Sequence, residues 1–583
     1  MLKLFRYLKP YWWQVGLLIL ATAGQTFATL QIPALMADII NNGIVKDNTD
    51  YIWQRGLMML GIAVISAGCA LVSSYFSARI GSNFSRDIRA DIYRKVLNLN
   101  LADTKEYSTA SLITRTTNDV NQVQQMMMMM LSVMLLAPMF CIFALVMAVQ
   151  TAPDMSWIIA IGVAGIIISA SVILGITMPK FKIYQKLVDK ITLLTRENLT
   201  GLRVIRAFDN EKLEKDKFGK TNNELMRLNI FLDKILKLEG PLVNIIFNGT
   251  TLLCSWVGIS LLTKDFAYLG DMSAFAQYVS HVMISFLMMS MLFVMLPRAN
   301  VCAGRINEVL NIKTKIDWKT ETVGVPSKQA SIEFRKVDFR YPGAEEKVLD
   351  DISFKAQAGE SVAFIGSTGS GKSTLINLVP RFYEATSGEI LVNGVNIRDY
   401  ARDDLMRRIG VVPQKGVLFA GSVKSNIKFG APNATDDEVK TAARLAQADD
   451  FIRKLPGGYD AHIAQGGTNV SGGQKQRLSI ARAICKNPDI FIFDDAFSAL
   501  DMKTDAKLRE ALKPVTSDMV TLIVAQRVST IKNADQIVIL NNGKIVGKGT
   551  HQELLKDCDI YQSIVESQLS EAEFKKEMRL AHG

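Results

Sequence analysis

Six apolar runs, near residues 13–37, 54–78, 128–150, 156–178, 242–263 and 273–296, constrain this chain more than any other feature. Each is about 20 residues or longer, enough to cross a hydrocarbon core of about 30 Å as a helix. Six spanning helices are expected within residues 1–312. The charges between the runs set the orientation, because Lys and Arg accumulate on the cytoplasmic side. Cytoplasmic positions go to Lys3, Arg6 and Lys9, to Arg79, Arg86, Arg89, Arg94 and Lys95, and to Lys180, Lys182, Lys186 and Lys190. The connections at 41–52, 151–155 and 264–272 carry few basic residues and are expected outside. The stretch Met1–Trp13 is short, basic and aromatic, as for a helix lying in the interface before the chain turns in at Pro10. A cleaved signal peptide is the weaker reading, since the following run is too long and has no convincing cleavage site.

At 583 residues the chain needs more than one domain, and 49% hydrophobic with 21% charged residues suits a membrane part joined to a soluble one. The net charge of +11 is dispersed, with no arginine-rich or aromatic-interleaved patch, so basic loops beside a membrane explain it and no nucleic acid partner is expected. Six scattered cysteines give neither a disulfide framework nor zinc spacing.

Residues 79–127 and 180–240 are charged and rich in helix formers, and read as extensions of the spanning helices into the cytoplasm. Tips are expected near Ala102–Ser111 and Asn198–Asp209, either pressing into a groove on the soluble domain or closing a solvated hairpin. The spanning runs hold almost no ionisable residue besides Asp38 and His281, which argues against a proton relay. Methionine is abundant instead: Met126–Met130, then Met283, Met288, Met289, Met291 and Met295, interleaved with Phe286 and Phe293. This composition suits a permissive apolar binding surface, with lipid-facing packing as the alternative for any single side chain.

After a polar linker at 313–330, Ser331–Tyr341 alternates as a half-buried strand does, and Tyr341 is positioned to stack on an adenine or simply to fill a turn. Ser361–Ile365 is a short apolar run, followed by Gly366, Ser367, Thr368, Gly369, Ser370, Gly371, Lys372, Ser373 and Thr374. This is the G-x-x-x-x-G-K-[ST] phosphate loop in a strand-then-helix context. Glycines let successive N–H groups wrap phosphate oxygens at a helix start. Lys372 is expected to neutralise the β and γ phosphates of ATP, and the Ser373 hydroxyl to hold Mg²⁺. Asp489–Asp495 reads as a buried strand ending in two acids, with Asp494 on Mg²⁺ and Asp495 where a general base for water acts. Ser471, Gly472, Gly473 and Gln474 open a helix running to about Cys485, a second anion-seeking helix start.

The ordered set of phosphate loop, Gln414, Ser471–Gln474, Asp494 and Ser498-Ala-Leu-Asp501 resembles the ATP-binding cassette of ABC transporters. The six-helix half placed before it resembles the exporter type, so the resemblance covers essentially the whole chain. It implies a transmembrane domain (1–312), a linker (313–330) and an α/β P-loop ATPase domain (331–583). It also implies that Tyr341 stacks on adenine, that Gln414 senses Mg²⁺, and that Ser471–Gln474 grips the γ-phosphate of ATP held by another subunit. Asp501 then communicates across the dimer, in a multi-pass protein of the plasma membrane with its N-terminus and cassette cytoplasmic.

Two positions depart from the pattern. Asp495 stands where the family has Glu, and Gln526 where it has His. Asp is one methylene shorter, and Gln carries neither charge nor a transferable proton. The chain's own site is expected to bind ATP and hydrolyse it slowly, while its signature is intact apart from Val470 in place of the usual leucine. This combination resembles one subunit of a heterodimeric bacterial multidrug exporter, whose partner carries the Glu and the His. The expected function is ATP-driven export of hydrophobic or amphipathic compounds. The alternatives are a homodimeric lipid or peptide exporter, and an ATP-gated regulator or channel subunit that does not pump.

Overall fold

The computed structural model describes residues 2–100, 103, 104, 107–262, 269–312 and 316–582; the side chains of 2, 260–262, 290–294, 297 and 582 lie outside that description. Expectations on Ala102, Met291 and Phe293, and on most of the 264–272 connection, fall there as well. The chain divides into two compact units, 1–97 with 109–312 and 98–108 with 313–583.

Among the described residues, six helical segments of the first unit are long and apolar enough to cross a membrane. Its main helices are α1 (Trp12–Asp38), α2 (Thr49–Leu97), α3 (Val120–Thr151), α4 (Trp157–Thr200), α5 (Glu211–Lys237), α6 (Glu239–Leu262) and α7 (Leu269–Leu310). At about 1.5 Å per residue, the 49 residues of α2 run roughly 73 Å, more than twice a hydrocarbon core, so this helix extends well past the span it makes. Small hydroxyls bind α1 to α2, Thr22 to Ser73 at 2.9 Å and Thr29 to Ser66 at 2.7 Å, the kind of cross-helix bond that apolar surroundings favour. Tyr278 is buried and donates to the Leu30 carbonyl at 3.1 Å.

The two ionisable residues expected in the spans have local partners. Asp38 meets Arg55 at 3.0 Å and Tyr51 at 2.8 Å, and His281 stacks on Phe140 with ring centroids 5.5 Å apart. The N-terminal stretch Leu2–Tyr11 is a 3₁₀ helix that contains Pro10, and Tyr11, at φ −108° and ψ 13°, leaves helical geometry just before α1. Tyr7 and Tyr11 anchor it, donating to Asp91 and Asp87 of α2 at 2.8 and 2.7 Å.

The second unit is built on two sheets. β1 (Ser331–Phe339), β2 (Leu349–Gln357), β4 (Ser387–Val392) and β5 (Val395–Asn396) form an antiparallel sheet in the order β2-β1-β4-β5. β3 (Ser361–Ile365), β6 (Ile409–Val412), β9 (Ile490–Asp494), β10 (Val520–Val524), β11 (Gln536–Asn541) and β12 (Lys544–Gly549) form the larger one, in the order β12-β11-β3-β10-β9-β6. All of its pairings are parallel except that of β12 with β11. A short ribbon, β7 (Gly421–Ser422) with β8 (His462–Ile463), stands apart. The sheets share a core in which Phe354 stacks on Phe334 at 4.6 Å and meets Phe364 edge-on at 5.3 Å.

The segment expected as a linker is held along this unit. Val323 donates to the Asp399 carbonyl and Ser327 to that of Asn393, each at 2.8 Å, while Arg381 lies 4.7 Å over the Trp318 ring. Backbone pairing and one buried guanidinium explain why a polar stretch with Pro326 is ordered here.

Candidate nucleotide site

The order of parallel strands assembles the site. In open α/β sheets ligands sit outside the carboxyl ends of strands. At those ends of β6, β9, β10 and β3 lie Gln414 after β6, Asp494 as the last residue of β9 with Asp495 after it, Gln526 after β10 and the phosphate loop after β3. Residues far apart in sequence thereby line one cavity of about 740 Å³, together with Tyr341.

The loop glycines are required by space as well as by conformation. Gly366 has φ 154° and a Cβ there would strike the Leu540 carbonyl; Gly371 has φ 100° and a Cβ would lie 2.8 Å from the Leu349 side chain. Helix α8 (Lys372–Leu378) starts directly after them. The Lys372 ammonium is folded back on the loop, donating to the carbonyls of Gly366 and Ser367 at 2.9 and 2.8 Å. Burial pushes its pKa down, against the pull of Asp495 and Asp494. Ser370 is buried within the loop, 3.4 Å from Lys372. Tyr341 packs edge-on against Phe339 and Tyr383, and its hydroxyl lies 3.0 Å from that of Thr374.

Ser373 donates to Asp494 at 2.9 Å. Burial raises the Asp494 pKa, the Ser373 bond opposes that rise, and the Asp495 charge adds to it. A hydroxyl and a carboxylate meeting beside a second carboxylate, with Gln414 also on the cavity wall, make an oxygen-rich set of the kind a hard divalent cation takes.

Asp495 differs from the expected geometry of two acids in one strand. Only Asp494 belongs to β9; Asp495 turns into the left-handed region at φ 48°, its N–H on the Val524 carbonyl at 2.9 Å. Its side chain is buried, and Oδ2 accepts from two amides, Gln414 at 3.1 Å and Gln526 at 2.9 Å. The two positions that depart from the family pattern are thus bonded to one another.

Ser471 caps α9 (Gly472–Cys485), its hydroxyl accepting from the Gln474 N–H at 3.3 Å while Gln474 Oε1 accepts from the Ser471 N–H at 2.9 Å. Asp501 caps α10 (Met502–Leu512) through the Thr504 N–H at 2.9 Å, and these bonds hold its pKa below the usual carboxylate value. Neither Ser471–Gln474 nor Asp501 lines the cavity of the phosphate loop.

Sequence reasoning missed the C-terminal wall of that cavity, Ile560, Ile564, Ser567 and Gln568. No motif spacing marks them; tertiary packing brings them there. It also missed Glu239. In the first unit a cavity of about 780 Å³ between α4, α6 and α7 is lined by Ile166, Ile173, Val243, Phe286 and Met289, with Glu239, the first residue of α6, on its wall. Phe286 and Met289 were singled out from composition; Glu239 sits at the margin of an apolar run and looked like part of a charged extension.

Residues 15–286 match the family model for the ABC transporter transmembrane region, and residues 349–498 the model described as ABC transporter. An uncharacterized ABC transporter ATP-binding protein of Mycobacterium tuberculosis is 36% identical over 570 residues, 97% of each chain. An uncharacterized ABC transporter ATP-binding protein of Bacillus subtilis is 36% identical over 568 residues, covering 97% of this chain and 98% of that one. An ATP-dependent lipid A-core flippase of Syntrophus aciditrophicus is 31% identical over 576 residues, 97% of this chain and 93% of its own. Among solved structures, a bacterial Atm1-family ABC exporter with ATP bound superposes with a TM-score of 0.79 at 22% identity, covering 97% of this chain and 99% of that one, a likeness of fold.

Proposed function

This chain belongs to the ABC transporter family, as an ATP-hydrolysing exporter half-transporter with membrane half and cassette fused, and on that premise we propose that it is the slow-site subunit of a heterodimer. Its cargo is hydrophobic or amphipathic compounds, moved outward across the plasma membrane by alternating access. Residues 1–312 form the transport domain and 331–583 the ATPase, with N-terminus and cassette in the cytoplasm. The observation that carries this reading is the double engagement of Asp495 Oδ2 by Gln414 and Gln526. The Gln526 amide fixes the carboxylate so that Oδ1 orients an attacking water, and Asp495 with Gln526 acts as a water-orienting pair, a weak one because the acid is one methylene shorter than Glu. Gln526 cannot supply positive charge as phosphate charge develops. Losing one well-placed transition-state donor typically costs about 10² to 10³ in rate.

In this mechanism Tyr341 stacks on the adenine and the loop N–H groups of 366–374 hold the phosphates. Lys372 swings from the Gly366 and Ser367 carbonyls onto the β and γ phosphates. Ser373, Gln414 and Asp494 are the residues that would hold Mg²⁺, which when bound draws charge from the phosphate oxygens. Ser471–Gln474 closes on the γ-phosphate of ATP held by the partner, where Glu and His are present, and Asp501 meets that partner across the interface. The apolar cavity with Phe286, Met289 and Glu239 is the place for cargo.

Uptake of fluorescent hydrophobic compounds into inverted vesicles tests this. We expect ATP-dependent uptake only when this chain is co-expressed with a subunit carrying Glu and His; brisk uptake by this chain alone overturns the heterodimer. Phe286→Ala with Met289→Ala is expected to change the substrate range, and an unchanged range rejects the cavity. A second reading, lipid translocation, is favoured by the likeness to the lipid A-core flippase, and is met by fluorescent lipid flipping in the same vesicles.

A further inference from the structure

The loop that follows β10 is held from two sides. Gln568 spans it with its side-chain amide: Nε2 donates to the Gln526 carbonyl at 2.8 Å and Oε1 accepts from the Val528 N–H at 2.8 Å. From the other side Arg509 of α10 donates to the carbonyls of Ser529 and Thr530 at 3.0 and 3.2 Å, and Asp505 fixes that guanidinium by two bonds of 3.0 and 2.9 Å. The Gln526 side chain between these clamps is the one that reaches Asp495 at 2.9 Å.

Gln568 stands on a firm base. It follows helix α11 (Asp559–Glu566), whose Tyr561 and Val565 are fully buried with Leu554 and Leu555 against Ile365, Ala525 and Val528. The Tyr561 hydroxyl also lies 2.7 Å from His551 Nδ1, so this segment is joined to the rest of the unit by packing and by a polar contact. Ile560, Ile564, Ser567 and Gln568 line the nucleotide cavity as well. A planar amide making two bonds fixes the backbone on both sides of Arg527, and the direction of the Gln526 side chain depends on that backbone.

We propose that Gln568 is a positioning residue for hydrolysis at this chain's own phosphate loop: it holds the Gln526–Val528 backbone so that the Gln526 amide stays on Asp495. Both bonds of its side chain go to the backbone at Gln526 and Val528, so it acts through Gln526. The proposal rests on the reading of Asp495 and Gln526 as the water-orienting pair, and names what keeps that pair in place.

The test uses the full-length chain in lipid nanodiscs with any subunit that co-purifies. Conversion of radiolabelled 8-azido-ATP to the diphosphate is followed for a single turnover and assigned to this chain by photo-crosslinking, whichever subunit completes the site. Gln568→Met keeps length and packing and loses both hydrogen bonds; Gln568→Ala loses packing too. Both are expected to slow conversion about tenfold while nucleotide affinity stays within about twofold, because a displaced group costs the chemical step more than it costs binding. In a Gln526→Ala background, Gln568→Met is expected to slow conversion by less than about twofold, since there is no side chain left to position. An unchanged rate in Gln568→Met, or a slowing that multiplies with that of Gln526→Ala, overturns the proposal. If Gln526→Ala alone leaves conversion unchanged, the water-orienting pair is wrong and the positioning role goes with it. If Gln526→Ala slows conversion and Gln568→Met does not, only the role of Gln568 is lost.

Discussion

At Asp495 a left-handed backbone and two amide donors coincide. A non-glycine residue at φ 48° stores roughly 1 kcal/mol, least for Asp and Asn, and the Val524 carbonyl and Gln526 amide hold it there. Asp and Gln therefore form a matched pair, a short acid reached by a neutral donor. Changing one alone disturbs the match; changing both to Glu and His lengthens the acid and restores a group able to carry charge. We expect Asp495→Glu with Gln526→His to raise single-turnover hydrolysis at this chain's loop about 10²-fold, and either change alone to give much less. Lys372 carries a second prediction at this scale. Burial places its pKa below the 10.5 of a free lysine, and bound phosphate favours the charged form. Affinity for ATP is then full below the lowered value and falls as pH rises through it, so fluorescent nucleotide titrations across the alkaline range are expected to show loss beginning below pH 10.5. Lys372→Met is expected to bind weakly and without that pH dependence.

At the scale of elements, the bend between α4 and α5 stands out. α4 ends at Thr200, Leu202–Ala207 makes one short helix, and Asp209 at φ 52° turns the chain into α5. Phe208 is 73% exposed and Val204 60%, at the far end of a helix much longer than a bilayer is thick. Apolar groups gathered at such a tip are suited to a partner surface. If the partner's cassette receives this tip, Phe208→Asp is expected to cut transport more than tenfold in vesicles while leaving basal ATP hydrolysis within about twofold. Much of this was legible beforehand for physical reasons. Hydrocarbon thickness sets a length that six runs satisfy, and Gly366, Gly371, Lys372 and Ser373 are fixed by chemistry acting within ten residues. Asp494 could be placed at a strand's end, but the reversal at Asp495 depends on β10 beside it. Gln568 and Glu239 carry no local pattern: packing of α11 on β3 brings one to the site, and the packing of α4, α6 and α7 puts the other on a cavity wall. The tie of Tyr7 and Tyr11 to α2 was equally hidden.

For the molecule as a whole, the decisive feature is where the second set of anion-seeking residues lies. Ser471–Gln474 and Asp501 are well formed helix caps, yet neither lines the cavity above Lys372. A signature with its N–H groups ordered by a capping box is ready to receive an anion from elsewhere. In a heterodimer this makes the two motifs of the chain unequal. On the proposed reading Ser471 would serve the partner's competent ATP, whereas Asp495 would serve a slow site. We expect Ser471→Ala in the co-purified complex to remove most steady-state ATPase activity, by roughly 10²-fold, and Asp495→Ala to leave most of it. A homodimer predicts otherwise, because each of its two equivalent sites uses both residues, so the two substitutions would lower turnover alike. Measuring both variants in one preparation, with the subunits counted by mass spectrometry of the intact complex, separates these cases. Equal losses with a single chain present would leave a slow homodimer, and the task assigned here to a second subunit would pass back to Asp495 and Gln526.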